Sequence, residues 1–333
     1  MASILRGTDV ADALNARVAA EVEALKAQGV TPTLAILRVG ERGQDISYER
    51  GATKRAEKVG VAVQNLVVPE EVTQDVLLAA VDQLNADARI HGVLMFRPLP
   101  GHIDEDVVRN RLLPEKDIDG ITDASAVGVF TGAGAGADGR QSANRSSGFA
   151  PCTPQACMEI LEHFGIEVKG RQAVVVGRSL VVGKPVAMML LDRHATVTIC
   201  HSRTKNLPDL VSRAEIVIAC VGRAKMVTAA YLSPGQVVVD VGINVTEQGN
   251  LVGDVDFEAA SGIVDAITPV PGGVGTVTTS VLMKHVVEAA QAAQAASLAP
   301  AAHPAPAASS VQAANPANAA SPASPAQAAG SVL

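Results

Sequence analysis

Apolar and polar positions along this chain follow two alternating periods. Short runs of Val, Leu and Ile at 33–39, 62–68 and 92–96 read as buried strands. Before and between them apolar residues recur at helical spacing, which predicts helices over 9–28, 46–59 and 73–87. The same logic repeats in the second half, with apolar runs at 173–176, 196–200, 216–221, 237–241 and a short one at 263–264. Strands separated by helix-length segments predict an α/β fold with parallel sheets and right-handed crossovers. Two stretches break the pattern. Residues 124–148 are dominated by Gly, Ala and Ser and read as a flexible linker or surface loop. From 297 to 333 the chain is mostly Ala, Pro, Ser and Asn with no charged residue, and Pro300, Pro304, Pro306, Pro316, Pro322 and Pro325 interrupt any helix, so a disordered tail is expected.

Composition sharpens this picture. A length of 333 residues suggests about two domains. With 48% apolar residues, 2% aromatic and no Trp, the core must be built from Val, Leu, Ile and Ala, which suits parallel strands buried on both faces. A net charge of -7 with scattered Lys and Arg leaves no basic footprint for nucleic acid. No secretory signal opens the chain, and no apolar run is long enough for a membrane span. Cys152, Cys157, Cys200 and Cys220 form no C-x-x-C pair, so reduced, buried thiols and a cytoplasmic setting are expected. His91, His102, His163 and His285 are too scattered to form a metal set, and Met189 and Met283 read as core.

Candidate chemistry begins at residues 174–185, where a strand runs into a turn at Gly177 and a helix starts by Pro185. Amides at such a helix start can hold a dinucleotide phosphate, although the Gly-x-Ser-x-x-x-Gly spacing also fits an ordinary strand-to-helix turn. After the next strand comes His201-Ser202-Arg203-Thr204-Lys205, with no acid to grip a ribose. Ser202, Arg203 and Arg178 offer what a 2′-phosphate requires and favour NADP over NAD, though Arg203 and Lys205 also fit a solvated loop. His201 is given a structural or ribose-edge role. Two further loops, 240–244 and 268–275, are dense in residues that fix or free φ, and the Gly242-Ile243 backbone is placed to approach a nicotinamide.

Taken together, Gly-Arg-Ser-x-x-Val-Gly-x-Pro at 177–185, Pro-Cys-Thr-Pro at 151–154, Asp-Val-Gly-Ile-Asn at 240–244, Gly-Asp-Val at 253–255 and Thr-Pro-Val-Pro-Gly-Gly-Val-Gly at 268–275 resemble the methylenetetrahydrofolate dehydrogenase/cyclohydrolase family. The likeness extends back through Lys-Asp-Ile-Asp-Gly at 116–120, Pro-Leu-Pro at 98–100 and Tyr48. It implies an N-terminal catalytic domain that binds folate over 1–150, a Rossmann-like NADP domain with a parallel sheet over 151–276, and a helix at 277–296 returning to the first domain. The resemblance also implies that Gly177, Arg178, Ser179, Ser202, Arg203 and Ile243 bind NADP. Tyr48 would stack on the folate and Asp119 would hold its pterin as catalytic residues, with Pro98, Leu99, Pro271, Gly272 and Gly273 also at the substrate. The implied partners are tetrahydrofolate derivatives and a second copy in a homodimer. The implied reactions are oxidation of 5,10-methylenetetrahydrofolate and hydrolysis of the methenyl product to 10-formyltetrahydrofolate.

Three departures accompany these matches. The family pattern Ser-x-x-Tyr-x-x-x-Lys reads here with Asp45 at the serine and Ala52 at the catalytic lysine; Phe96 takes the place of the glutamine that orients that lysine, and Thr276 that of a proline. Lys54 matches a second, non-catalytic lysine. Dehydrogenation is expected to survive and hydrolysis to be weak or to depend on Arg55, Arg97 or Asp45. An oxidoreductase acting on another substrate and a non-catalytic NADP-binding protein are the alternatives.

Overall fold

The computed structural model describes residues 1–132 and 148–298. Two units are distinguished, 1–297 and 298–333, and apart from Leu298 the second, with the expected tail, lies outside the described residues. The chain opens with β1 (Ser3–Ile4), α1 (Gly7–Ala27), β2 (Thr33–Val39), α2 (Gly43–Val59), β3 (Ala62–Val68), α3 (Gln74–Ala86) and β4 (Gly92–Met95). Then follow α4 (Glu105–Arg109), α5 (Asp123–Phe130), α6 (Cys152–His163), β5 (Gln172–Val176), α7 (Gly183–Asp192), β6 (Thr196–Cys200), α8 (Leu207–Ser212) and β7 (Ile216–Ala219). The last elements are β8 (Val237–Asp240), β9 (Asn244–Val245), β10 (Leu251–Val252), α9 (Phe257–Ser261), β11 (Ala266–Ile267) and α10 (Val274–Leu298).

Two parallel sheets result, as the alternation predicts. The first has the order β3-β2-β4, and the second β1-β11-β8-β7-β5-β6; a separate antiparallel β9–β10 pair stands beside the latter. Alternation along β2 divides its side chains between two cores. Leu34 and Ile36 face α1, α2 and α10, whereas Ala35, Leu37 and Val39 face α3. Along β5, Ala173 and Val175 join the same cluster as Leu34 and Ile36, while Val174 and Val176 turn to the opposite side. One continuous core, filled by α1, α6 and α10, therefore lies between the sheets and fixes the cleft they border. Met189 and Met283 are buried in it, as expected.

Several expectations are corrected. Ser3–Ile4 pairs with Ala266–Ile267, so the first strand of the expected 1–150 unit completes the second sheet. The run at 263–264 is not a strand: the amides of Ile263 and Val264 both donate to the Ala260 carbonyl and close α9, and the strand forms at β11. Within the expected 124–148 linker, residues up to Phe130 are helical. Thr122 caps α5 by accepting from the Ser125 amide, and the run of small residues hid this helix because Ala is the strongest helix former. The remainder of that call, 133–147, lies outside the described residues. Thr276 sits inside α10, its amide bonded to the Gly273 carbonyl, and the returning helix starts at Val274 and runs to Leu298. No helix among the described residues is long and apolar enough to cross a membrane.

Candidate functional site

The second sheet supplies a crevice. From β5 the chain moves outward to β6 and then back past β5 to β7, so the carboxyl ends of β5 and β7 flank the point where strand order reverses, where α/β sheets bind ligands. Gly177 lies there with φ +140°, and a Cβ on it would stand 2.3 Å from the Cys220 carbonyl oxygen. Gly183 is equally constrained, since its Cβ would meet the Gly177 carbonyl at 2.4 Å. Both glycines are therefore required by close backbone approach. The Ser179 hydroxyl accepts the amides of Val182 at 3.1 Å and Gly183 at 3.3 Å, which occupies both lone pairs and leaves its hydrogen to donate to an anion. Gly177→Ala is expected to lower Tm and to weaken NADP binding at least tenfold, because strain of about 1–3 kcal/mol falls on the turn itself; calorimetric titration with NADP checks this.

At the end of β6 the His201 amide donates to Thr204 Oγ1 and the Arg203 amide to His201 Nδ1, so His201 shapes the turn. Ser202, Arg203, Lys205 and Arg178 are exposed around it, as a 2′-phosphate site needs. The motifs at 240–244 and 253–255 interlock. Asp240 accepts the amides of Gly242, Asp254 and Val255, while Asp254 accepts those of Val221, Gly222 and Arg223 and the Asn244 side chain. Burial, with the neighbouring Asp254 charge, pushes Asp240 up to about 6 despite its three amide donors. This scaffold leaves Ile243 64% exposed over a cavity of about 180 Å³, walled also by Pro271, Gly272 and Gly273. The Gly272 carbonyl accepts the Gly7 amide at 2.8 Å, which docks this loop on the start of α1.

A larger cavity of about 570 Å³ adjoins the cofactor turn, whose Leu180 and Val181 line it together with Tyr48, Arg97, Asp119 and Cys152. Its construction follows from the motif at 116–120. Fully buried Asp117 accepts the amides of Ile121 and Thr122 and the Ser125 hydroxyl, and Gly120, at φ +66°, packs against the Pro151 nitrogen where any Cβ would be 2.5 Å away. The loop thus presents Asp119 to the cavity. Burial raises the Asp119 carboxyl to about 6, with the Asp117 charge adding to the shift and a bond from Cys152 opposing it. Tyr48 retains 41% of its exposure, yet protein surrounds its hydroxyl, and desolvation followed by the Asp119 charge holds it well above the usual phenol range while Thr278 hydrogen-bonds to it.

The remaining expected residues separate. Leu99 is buried in the core behind the first sheet and Pro98 is exposed, and neither is among the residues lining the larger cavity. Ala52 is fully buried, and Phe96 stands edge-on to Tyr48 with centroids 5.8 Å apart. Of the three candidate substitutes for the lysine, Arg97 and Asp45 line the cavity, whereas Arg55 acts on Asp12 of α1 and does not line it. Arg97 pairs with Glu105 at 3.3 Å and Asp45 with Arg42 at 2.7 Å. Sequence reasoning missed Glu105, Thr278, Leu180 and Val181 as wall residues. It also read Cys152 as only structural, although the Pro-Cys-Thr-Pro motif was a signal for its place beside Asp119. His285 backs this corner, its Nδ1 2.9 Å from the Ile118 carbonyl and 3.8 Å from Cys152 Sγ. Among the described residues no His, Cys, Asp and Glu group could hold a metal.

Comparison with known proteins agrees with this geometry. Residues 5–119 match the family model described as tetrahydrofolate dehydrogenase/cyclohydrolase, catalytic domain, and 151–294 match the NAD(P)-binding domain of the same family. The chain is 47% identical over 288 residues to the bifunctional protein FolD of Clostridioides difficile, covering 86% of this chain and 96% of that protein. It is 49% identical over 293 residues to FolD of Carboxydothermus hydrogenoformans, covering 87% and 98%. Among solved structures, the bifunctional FolD methylenetetrahydrofolate dehydrogenase/cyclohydrolase of Campylobacter jejuni superposes with TM-score 0.82 at 34% identity, covering 87% of this chain and 99% of that one. The Trypanosoma brucei enzyme, solved with NADP and an inhibitor, gives TM-score 0.79 at 32% identity, covering 90% and 99%.

Proposed function

This chain belongs to the tetrahydrofolate dehydrogenase/cyclohydrolase family, and from that premise we propose that it oxidises 5,10-methylenetetrahydrofolate to the 5,10-methenyl form with NADP, with hydrolysis to 10-formyltetrahydrofolate as a weak second activity. The observation that carries the reading is one turn, 177–183, which forms the cofactor cradle around Gly177 and Gly183 and, through Leu180 and Val181, supplies part of the wall of the cavity that holds Tyr48 and Asp119. NADP, held by Gly177, Arg178, Ser179, Ser202, Arg203 and Ile243, supplies the hydride acceptor. Tyr48 stacks on the folate and Asp119 accepts hydrogen bonds from its pterin, holding the methylene carbon for transfer; this positioning suffices without a base. Pro271, Gly272 and Gly273, which wall the smaller cavity together with Ile243, are assigned to the substrate as well.

Hydrolysis makes a different demand, because water attack and ring opening need proton transfers. The wall behind Tyr48 offers Ala52 and Phe96 instead of titratable groups. The catalytic domain is assigned as 1–150, apart from β1, which completes the second sheet, with the helix over 277–296 returning to it, and the cofactor domain as 151–276. A homodimer through the cofactor domain fits β6, an edge strand with Thr196, Thr198 and Ile199 exposed. The free cysteines fit a reducing, cytoplasmic setting. The deciding experiment is a spectrophotometric assay with 5,10-methylenetetrahydrofolate that follows NADPH and methenyl absorbance together. NADPH formation with accumulating methenyl product is expected, and faster with NADP than NAD. No reduction with either cofactor, in protein that binds NADP, would sink the proposal.

A further inference from the structure

The wall of the larger cavity is unequal in charge. Its described lining residues include five carboxylates, Asp45, Glu105, Asp106, Asp119 and Asp123, against two guanidinium groups, Arg97 and Arg109, and no lysine. Pairing removes only part of this excess. Arg109 is shared between Asp106 at 2.8 Å and Asp123 at 2.7 Å, Arg97 serves Glu105, and Arg42 serves Asp45. Asp119 accepts hydrogen bonds from Cys152, and the only cation acting on it is the more distant Arg97. On α2 the face that carries Tyr48 bears Asp45 one turn before it and the methyl of Ala52 one turn after it, and no Lys or Arg of α2 is among the residues lining the cavity.

Charge is also what the proposed reaction changes. Loss of a hydride from the methylene carbon leaves the one-carbon bridge as an amidinium: a nitrogen lone pair closes the new carbon–nitrogen double bond, and one positive charge is shared by N5 and N10. Tetrahydrofolate, with the same rings and tail, is neutral at that centre. We propose, resting on the function assigned above, that this cavity selects by charge, holding the methenyl cation more tightly than neutral tetrahydrofolate, and that Asp45 is a specificity-determining residue for that selection. Asp45 is 8% exposed, so its charge is screened less than that of a surface carboxylate and acts across the cavity. Asp119 lines the same cavity and adds to the negative charge there.

Calorimetric titration of the full chain with 5,10-methenyltetrahydrofolate and, separately, tetrahydrofolate tests this, at neutral pH and at low and high salt. Methenyl binding is expected to be about tenfold tighter at low salt, with the ratio shrinking several-fold at high salt. In Asp45→Asn, which leaves the Arg42 charge uncompensated, the ratio of methenyl to tetrahydrofolate affinity should fall several-fold. The salt series needs no variant, so a folding defect in Asp45→Asn does not decide the matter. Equal affinities in the unmodified chain, or a ratio untouched by both salt and Asp45→Asn, overturn the inference alone. Failure of both folates to bind overturns the proposed function with it.

Discussion

Asp119→Asn is expected to lower kcat/KM for 5,10-methylenetetrahydrofolate by about 10²–10⁴-fold, because two hydrogen bonds to a charged acceptor, each about 1.5–3 kcal/mol, become mismatched. NADP affinity should be unchanged, since Asp119 lies on the wall of the larger cavity and outside the cofactor turn. The pH profile separates this from a general defect. Burial, then the Asp117 charge, raises the Asp119 carboxyl to about 6, and the ionised form is the one that accepts pterin N–H groups. In the native chain kcat/KM therefore rises with pH through about 6, and Asp119→Asn removes that limb. The stability sign runs the other way. An acid whose folded pKa is raised contributes stability below the ordinary carboxylate range and loses it as pH rises through about 6, so the variant should melt no lower than the native chain at neutral pH. A large drop in Tm would show that Asp119 is held for the fold instead.

The second large effect is a gain. Ala52→Lys combined with Phe96→Gln is expected to raise hydrolysis of the methenyl compound by about 10²-fold, the lower end of what a positioned acid–base group supplies. Position 52 is four residues beyond Tyr48 and shares its face, so a lysine there reaches the same cavity. The pair must change together. Ala52 is fully buried, and an ammonium placed against the Phe96 ring alone would be desolvated without a partner, whereas a glutamine at 96 returns an acceptor. Decay of methenyl absorbance reads the gain, and a folded double variant that hydrolyses no faster than the native chain refutes the role given to these two positions.

Much of this arrangement could be read from the residues, for identifiable reasons. Strands β5 and β8 carry runs of Val because both faces of a parallel sheet are covered there, and the bounds of β2, β5, β6 and β8 held to within a residue. The glycines at 177, 242 and 253 were visible as motif letters, but their reason was not: each faces a backbone or carboxylate brought in by another segment. The same distance hid Glu105, which reaches the cavity only because its carboxylate holds the Leu99 amide and the Arg97 side chain. Leu99 was expected at the substrate through the resemblance of Pro-Leu-Pro at 98–100, and its side chain packs in the core on the α3 side of the first sheet. The pairing of β1 with β11 had no local signal, since two residues carry no period.

That pairing bears on how the protein is made. Ser3 and Ile4 leave the ribosome more than 260 residues ahead of their partners Ala266 and Ile267. The edge of the cofactor sheet therefore waits for nearly the whole chain, and contacts of such long sequence separation form slowly. The Gly7 amide, bonded to the Gly272 carbonyl, waits as long. A nascent chain halted before residue 266 holds the Gly177 turn yet lacks the strand and the glycine loop that complete its surroundings. Docking of β1 and of the start of α1 onto the cofactor sheet is therefore a late step of folding, set by the release of residues 266–272.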